Sequence, residues 1–412
     1  MEDQDRDHIS SRSHFSGRSE QELDEMLDEL RAGKIGINQP GQNSSEHDSE
    51  DTPEENDNAS GTGNAAKSKK GKSRKEGFNL KDEVISWIQV LVAAAIIAFC
   101  VNHFIIANSE VPTSSMETTI MAGDRVIGSR LSYKFGAPQR GDIAIFIYPD
   151  DEAKGIKTYY VKRIIGMPGD TIEIRDNQVY IDGVAAKNPE KMQLNYFVET
   201  DGSMLSEEQF RLLDVSKADR VLIDGSYNPQ YMSMLNIQPN ANGQYNPIYH
   251  FPLTQKTLEV AKKLPVVKRV VLEPDPVGTD SYYPVDYQTG WSRDNYEPLW
   301  IPKKGTTIPL TERNIALYKR CIVNYEHNKL EVKDSKVYIN GKPETTYTFK
   351  YDYYWMMGDN RHNSADSRSW GFVPEDHIVG KPIMIWLSLD KDRSLFDGGI
   401  RWNRMFRWVH PD

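Results

Sequence analysis

The chain has 412 residues, of which 38% are hydrophobic and 27% charged, and its formal net charge is −10. This length allows two or three domains of about 100–200 residues each. The composition is too polar for a transporter with many membrane spans, and it is not basic enough for nucleic acid to be the main partner. Two cysteines, Cys100 and Cys321, cannot form a disulfide framework, and no Cys/His spacing indicates a zinc site.

The charge is concentrated near the N-terminus. Residues 1–66 hold 17 acidic and 5 basic residues with few aromatics, so we predict a disordered acidic tail. Ser19 and Glu22 have capping-box spacing, which predicts a short amphipathic helix over 22–30. This helix is either a docking element for a partner or a frayed helix without a role. Residues 67–82 follow as a basic segment with net charge +5.

Residues 83–107 are predicted to form a transmembrane anchor. The apolar run 84–107 has 24 residues, about 36 Å of helix at ~1.5 Å per residue. That length crosses a hydrocarbon core of ~30 Å, and Trp87 lies where aromatic belts occur. A buried core helix is the alternative, which the length and flanking charge disfavour. The basic segment predicts a single pass with a cytoplasmic N-terminus and residues 108–412 on the outer side of the membrane.

From residue 108 onward the pattern is mainly that of short strands. We predict strands at 141–148, 158–165, 170–174, 177–181 and 335–339. Asp182-Gly183 and Asn340-Gly341 are hairpin signals. The fold class is therefore mainly β, with an antiparallel β domain formed by 108–189 and 331–390.

Two other regions interrupt or follow this β domain. Residues 190–330 are predicted as a large α+β insertion with helices at 206–214, 254–264 and 312–325, the last capped by Thr311. Residues 391–412 are predicted as an amphipathic segment. A helix over 399–409 would place Trp402, Met405, Phe406 and Val409 on one face. That face would either lie at a membrane interface or pack on the body.

Three segments carry residues suited to catalysis. Ser115 lies in VPTSSMETTI (111–120), eight residues beyond the predicted anchor and so within roughly 30 Å of it. Lys162 lies in YYVKRIIG (159–166), within the predicted strand 158–165, whose two faces are mostly apolar. Burial lowers the pKa of a lysine by up to ~3–5 units, and a neutral lysine can activate a serine hydroxyl. The alternative is a lysine that extends to solvent from a strand edge. The third segment, 355–372, is a dense polar loop that predicts a bracing hydrogen-bond network.

Together and in this order, these segments resemble the type I signal peptidases, or leader peptidases, which are bacterial membrane serine proteases with a Ser/Lys dyad. The resemblance covers about 110–185 and 345–390. VPTSSMETTI is similar to the nucleophile box, RGDIAIF (140–146) to the box that follows it, YVKRIIGMPGD (160–170) to the lysine box and GDNRHNSADSR (358–368) to the final box.

The resemblance implies a role for each matched residue. Ser115 is the expected nucleophile and Lys162 the general base. Thr113 takes the position of an oxyanion-hole hydroxyl, and Ser364 is expected to orient Lys162. The expected electrostatic supports are Asp366, Arg368 and Arg163. The expected substrate-binding residues at the cleavage site are Val111, Ile120, Tyr160 and Val161.

The resemblance also implies the partners: preproteins with signal peptides, membrane lipid and, as a further candidate, the secretion machinery. It implies no nucleic acid, no cofactor and no metal. Thr118 and His362 depart from the family pattern at positions that carry no chemistry.

Three alternatives stay open at this point. The chain could be an inactive membrane-anchored binding protein of the same fold, although Ser115, Lys162 and Ser364 are all present. It could be a self-cleaving Ser/Lys repressor, although such a protein needs a DNA-binding module instead of an anchor. It could also process lipoproteins or a narrow set of clients.

Overall fold

The computed structural model describes residues 80–100, 106–149, 151, 155–226, 229–275, 282–285, 287, 289–390 and 398–410. The predicted acidic tail with its short helix, and residues 67–79 of the basic segment, lie outside the described residues. The described helices are α1 (Leu80–Cys100), α2 (Ser132–Phe135), α3 (Glu207–Leu212), α4 (Pro229–Met234), α5 (Gln255–Ala261), α6 (Glu312–Arg320) and α7 (Ser367–Trp370).

The strands of the described chain fall into five antiparallel sheets. In chain order they are β1 (Ile106–Glu110), β2 (Asp124–Ser129), β3 (Ile143–Ile147), β4 (Tyr159–Gly166), β5 (Thr171–Arg175), β6 (Gln178–Ile181), β7 (Val184–Ala185), β8 (Gln193–Thr200), β9 (Val221–Ile223), β10 (Ile248–Thr254), β11 (Val267–Leu272), β12 (Tyr296–Trp300), β13 (Thr307–Pro309), β14 (Leu330–Lys333), β15 (Lys336–Ile339), β16 (Lys342–Glu344), β17 (Thr346–Thr348), β18 (Tyr353–Met357), β19 (Val373–Pro374), β20 (Ile378–Ser388) and β21 (Arg407–Trp408). The predicted fold class, mainly antiparallel β, is confirmed.

Helix α1 groups separately from the residues that follow it and is described by itself. It ends at Cys100, and residues 106 and 107, the end of the predicted anchor, lie in strand β1 instead, where they pair with β2. Among the described residues, no helix has the length and apolarity needed to cross a membrane. The predicted transmembrane helix over 83–107 is therefore not confirmed.

The main sheet holds the elements on which the matched motifs lie. Its strand order is β1-β2-β20-β3-β4-β18-β19, with β21 added beside β20. Strand β4 lies between β3 and β18, so its backbone is paired on both edges. This double pairing makes β4 a rigid support for Lys162, and residues 162–166 of the strand are buried.

The two predicted hairpins are present, and their turn chemistry explains them. Asp182 and Gly183 both have positive φ between β6 and β7, and Asn340 and Gly341 do the same between β15 and β16. Two consecutive residues with φ > 0 form the turn that matches the twist of paired strands.

The three predicted helices of the insertion are also present, although shorter than predicted. Each begins at a capping side chain: Ser206 before α3, Thr254 before α5 and Thr311 before α6. The third continues as a π-helical turn over Cys321–Tyr325. Cys321 is a buried free thiol.

The region 190–330 contributes to more than one part of the body. Strands β8–β11 form their own sheet, with a core that includes Phe210, Tyr249 and Phe251. By contrast, β12 pairs with β5. The largest core cluster contains Trp355 together with Tyr296 and Leu299 of β12 and Leu317 and Tyr318 of α6. The predicted boundaries of the insertion remain a prediction.

The predicted C-terminal helix over 399–409 is wrong. The segment instead forms a single 3₁₀ turn, Trp402–Arg404, followed by strand β21, which pairs with β20. The reason is tertiary: buried Arg404 donates to Asp124 at 2.7 Å, and Val409 packs against a core cluster. These contacts outweigh the local helical pattern. Trp402, Phe406 and Trp408 stay exposed.

Candidate active site

Ser115 lies in a compact turn between strands β1 and β2. The turn is closed by hydrogen bonds of the backbone, such as Ile120 N–H to Met116 O at 2.8 Å, and the side chains of Met116 and Ile120 are buried beneath it. The Ser115 carbonyl accepts a hydrogen bond from the Asn360 N–H at 3.1 Å. The turn is thus fixed to the core below and to the polar loop beside it, and the serine itself is only 6% exposed.

Strand β4 brings Lys162 to this serine. The Lys162 Nζ donates to the Ser115 Oγ at 2.6 Å, although the two residues are 47 positions apart in the chain. The lysine is 4% exposed, and its Nζ lies 5.6 Å from the ring centroid of Tyr160 on the same face of the strand. The geometry therefore pairs an amine with a hydroxyl in a site with little access to water.

Burial controls the charge of this lysine. The pKa of Lys162 is lowered from 10.5 to about 8, mainly by burial and in smaller part by Arg368, while Asp366 and Asp359 act in the opposite direction. Desolvation dominates because the ammonium loses its hydration in the interior. A neutral amine is consequently accessible near physiological pH, and a neutral amine can accept the proton of a serine hydroxyl.

Two more hydroxyls lie near the Ser115–Lys162 pair. The Thr113 Oγ1 is 3.4 Å from the Ser115 Oγ, a long hydrogen-bond distance. The Ser364 hydroxyl makes no hydrogen bond to Lys162, and it lies close enough to the Asp366 carboxylate to help lower the pKa of that group. It lies against Gly358, where an added Cβ would overlap both the Ser364 hydroxyl and the Ser115 carbonyl. The site therefore requires glycine at position 358.

Two buried ion pairs brace the polar loop. Arg368 donates to both oxygens of Asp366 at 2.9 and 2.8 Å, and the Gly358 N–H donates to the same carboxylate at 3.1 Å. Burial raises the pKa of Asp366, but the contacts with Arg368 outweigh this, so the pKa lies below its usual range. The carboxylate is therefore ionised at neutral pH.

The second pair joins the loop to strand β4. Arg163 donates to both oxygens of Asp359 at 2.7 Å, and the Thr119 hydroxyl donates to the same carboxylate at 2.6 Å. Asp359 thus connects the lysine strand to the serine turn. The sequence did not predict that Asp359 and Thr119 link the matched motifs. The available signal was that each is a polar residue near the end of a matched motif, Asp359 in 358–368 and Thr119 in 111–120. Their contact depends on the fold, which brings the three motifs together.

The residues expected to bind substrate fall into two groups. Val111, Ile120 and Val161 meet in one apolar cluster beside the serine turn. Tyr160 lies in a different cluster, where its ring stacks on Tyr148 at 4.8 Å between centroids. In the described residues, no group of three His, Cys, Asp or Glu side chains could hold a metal ion.

The chain has recognisable relatives. Residues 84–227 and 344–387 match the family described as "Signal peptidase, peptidase S26". The protein "Signal peptidase I" of Buchnera aphidicola subsp. Acyrthosiphon pisum is 26% identical over 351 residues, which cover 81% of this chain and 83% of that protein. "Signal peptidase IB" of Staphylococcus aureus (strain COL) is 28% identical over 151 residues, 36% of this chain and 74% of its own. The resemblance to type I signal peptidases found in the motifs is confirmed.

Proposed function

This chain is a relative of the type I signal peptidases. We propose that it is a serine endopeptidase that removes signal peptides from exported preproteins. The single observation that carries the mechanism is the 2.6 Å contact between the Lys162 Nζ and the Ser115 Oγ in a buried site. An amine with a lowered pKa at this distance is the arrangement that activates a serine without histidine.

In the proposed reaction, neutral Lys162 takes the Ser115 proton as the Ser115 Oγ attacks the carbonyl carbon of the scissile peptide bond. The lysine ammonium then gives this proton to the leaving amine, which departs as the N-terminus of the mature protein. An acyl-enzyme remains on Ser115. Lys162 next deprotonates a water molecule, which attacks the ester carbonyl. The lysine ammonium returns this proton to the departing Ser115 Oγ, and the signal peptide leaves as a carboxylic acid that loses its own proton to solvent.

The oxyanion of each tetrahedral intermediate needs donors near Ser115. We assign this role to the Ser115 backbone N–H and the Thr113 hydroxyl, which is supported by the 3.4 Å distance between the two side-chain oxygens. One such donor contributes about 10²–10³ in rate. Ser364 is assigned to orient the lysine during the reaction. Its hydroxyl lies beside Gly358, next to the Ser115 carbonyl.

Cleavage after small residues is proposed because the resemblance assigns Val111, Ile120 and Val161 to the shallow pockets at the cleavage site, and these three residues share one apolar cluster. We expect a preprotein with alanine before the scissile bond to be cleaved after that alanine. Leucine at the same position should reduce kcat/KM by about 10²-fold, because its extra volume must displace packed side chains. Mass spectrometry of the products maps the cleaved bond, and kcat/KM is measured for both substrates in detergent. Equal rates for the two would refute the assigned pocket.

Membrane attachment is proposed as the second part of the function. Helix α1 exposes apolar side chains such as Trp87 and Leu91, and the body separately exposes Trp402, Phe406 and Trp408. Exposed aromatic and aliphatic side chains of this kind insert at the lipid–water interface. The proposed location is the cytoplasmic membrane with the catalytic domain on its outer side.

Replacing the three exposed aromatics, Trp402, Phe406 and Trp408, with serine tests the body's part in this attachment. For the chain truncated before residue 106, we expect vesicle binding in a sedimentation assay to fall about tenfold or more. The same three substitutions should leave Tm unchanged, because the side chains are exposed. Undiminished binding by the variant would show that these residues do not contact lipid.

A further inference from the structure

A cavity lies beside strand β4. It has a volume of about 340 Å³, and its lining includes Arg163 but not Lys162. A volume of this size falls in the range of ~300–1,000 Å³ that is typical of small-molecule sites. Nothing in the proposed peptidase mechanism uses this cavity.

All the charged residues that line the cavity are basic. Of its 14 lining residues, four are basic and none is acidic; the basic ones are Arg140, Arg163, Lys187 and Arg361. Two of them are neutralised by residues outside the lining: Arg140 by Asp170 at 2.8 Å and Arg163 by Asp359 at 2.7 Å. The other two, Lys187 and Arg361, give the cavity a net positive potential, which favours an anion.

Arg361 gives the strongest indication. It is only 2% exposed, its Nε donates to the Gly358 carbonyl at 3.1 Å, and its Nη1 has no hydrogen-bond partner in the described part of the chain. The pKa of Arg361 is lowered to about 10, mainly by burial and then by Arg368, while Asp359 and Asp366 act in the opposite direction. A buried guanidinium with an unpaired donor is destabilised, and an anion bound in the cavity would relieve both the charge and the missing hydrogen bond.

The remaining walls define the rest of the ligand. They are mostly aliphatic, with Ile181, Val184 and Pro189 on the side contributed by the β6–β7 hairpin and the chain after it. A fully hydrated dianion such as phosphate would gain nothing from these walls. An aliphatic chain with one charged end would bury its apolar part against them.

We propose that this cavity is a binding site for a short-chain aliphatic carboxylate, whose carboxylate pairs with Arg361 and Lys187 and whose chain packs on the hairpin. The site is independent of the peptidase reaction, so the binding test does not depend on the proposed function.

Calorimetric titration of the full chain in detergent tests this proposal with butyrate, its uncharged analogue butyramide and inorganic phosphate. We expect saturable 1:1 binding of butyrate and binding at least about tenfold weaker for butyramide and for phosphate, a difference of about 1.4 kcal/mol. Equal affinity for butyramide would refute recognition of charge. Tighter binding of phosphate would refute the aliphatic part of the site. An absence of butyrate binding up to about 10 mM, a concentration at which a ~1 mM site would be saturated, would refute the site itself.

Variants locate the binding. Lys187→Gln should weaken butyrate binding about three- to tenfold while preprotein cleavage is unchanged, because Lys187 is exposed at the cavity rim. Lys342→Gln, an exposed lysine on β16, is the matched control and should bind butyrate as the wild type does. Arg361→Met should abolish binding if the variant folds. Unchanged affinity in Lys187→Gln would place the carboxylate elsewhere and overturn the proposal.

Discussion

Lys162→Met is expected to lower kcat/KM for preprotein cleavage by about 10⁴-fold or more, because a hydroxyl nucleophile without its base is almost inactive. The fold should survive the substitution. The removed ammonium is the charge that burial destabilises, as its lowered pKa of about 8 indicates, so Tm at pH 7 should be no lower than that of the wild type. Cleavage kinetics and thermal unfolding on the same sample measure both effects.

Lys162→Arg separates the role of the base from the role of the positive charge. Arginine keeps the charge but does not lose its proton in proteins, so this variant should be as inactive as Lys162→Met. Lys342→Met, at an exposed position on β16, is the matched control and should keep wild-type activity. If Lys162→Met retained more than a few per cent of the wild-type rate, the assignment of Lys162 as the base would be wrong.

Asp366→Asn is expected to have the second-largest effect, and it acts on both stability and the pH profile. Arg368 would be left buried without its counter-charge, which costs about 3–5 kcal/mol of unfolding free energy. The pKa of Asp366 is lowered in the folded protein, so the pair stabilises the fold at neutral pH. That contribution is lost only as the pH falls through the folded-state pKa. The deficit of the variant should therefore be full at pH 7 and shrink in acid.

The same substitution should shift the rate profile. In the wild type, kcat/KM should rise with pH through an apparent pKa of about 8 as Lys162 loses its proton. Asp366 raises the pKa of Lys162, so its removal should move this rising limb to lower pH. Glu110→Gln breaks an exposed pair with Arg125 and is the control. It should change stability by less than about 1 kcal/mol and leave the limb in place. A limb that does not move in Asp366→Asn would contradict this coupling.

The strands and hairpins were predictable because their signals are local. Alternation and Asn-Gly or Asp-Gly turns determine where β6, β7, β15 and β16 begin and end. The C-terminal segment was mispredicted because its helical spacing is weaker than two distant contacts, the pairing of β21 with β20 and the ion pair of Arg404 with Asp124. A pattern within eleven residues contains no information about either partner.

The candidate site divides in the same way. The motifs that contain Ser115 and Lys162 could be picked out from sequence, and burial of the lysine could be predicted from the apolar faces of its strand. The link made by Asp359 between Arg163 and Thr119 could not, because it joins residues 196 and 240 positions apart. The charged cavity was equally hidden, since its basic residues come from four separate segments that only the fold brings together.

Cleavage of a preprotein by the full chain and by Ser115→Ala, side by side in detergent, tests the central claim most directly. We expect the wild-type chain to cut after a small residue and Ser115→Ala, folded to the same Tm, to produce no mature protein. Cleavage by Ser115→Ala at a rate near that of the wild type would contradict the assigned nucleophile. No cleavage by a folded wild-type chain would contradict the peptidase itself.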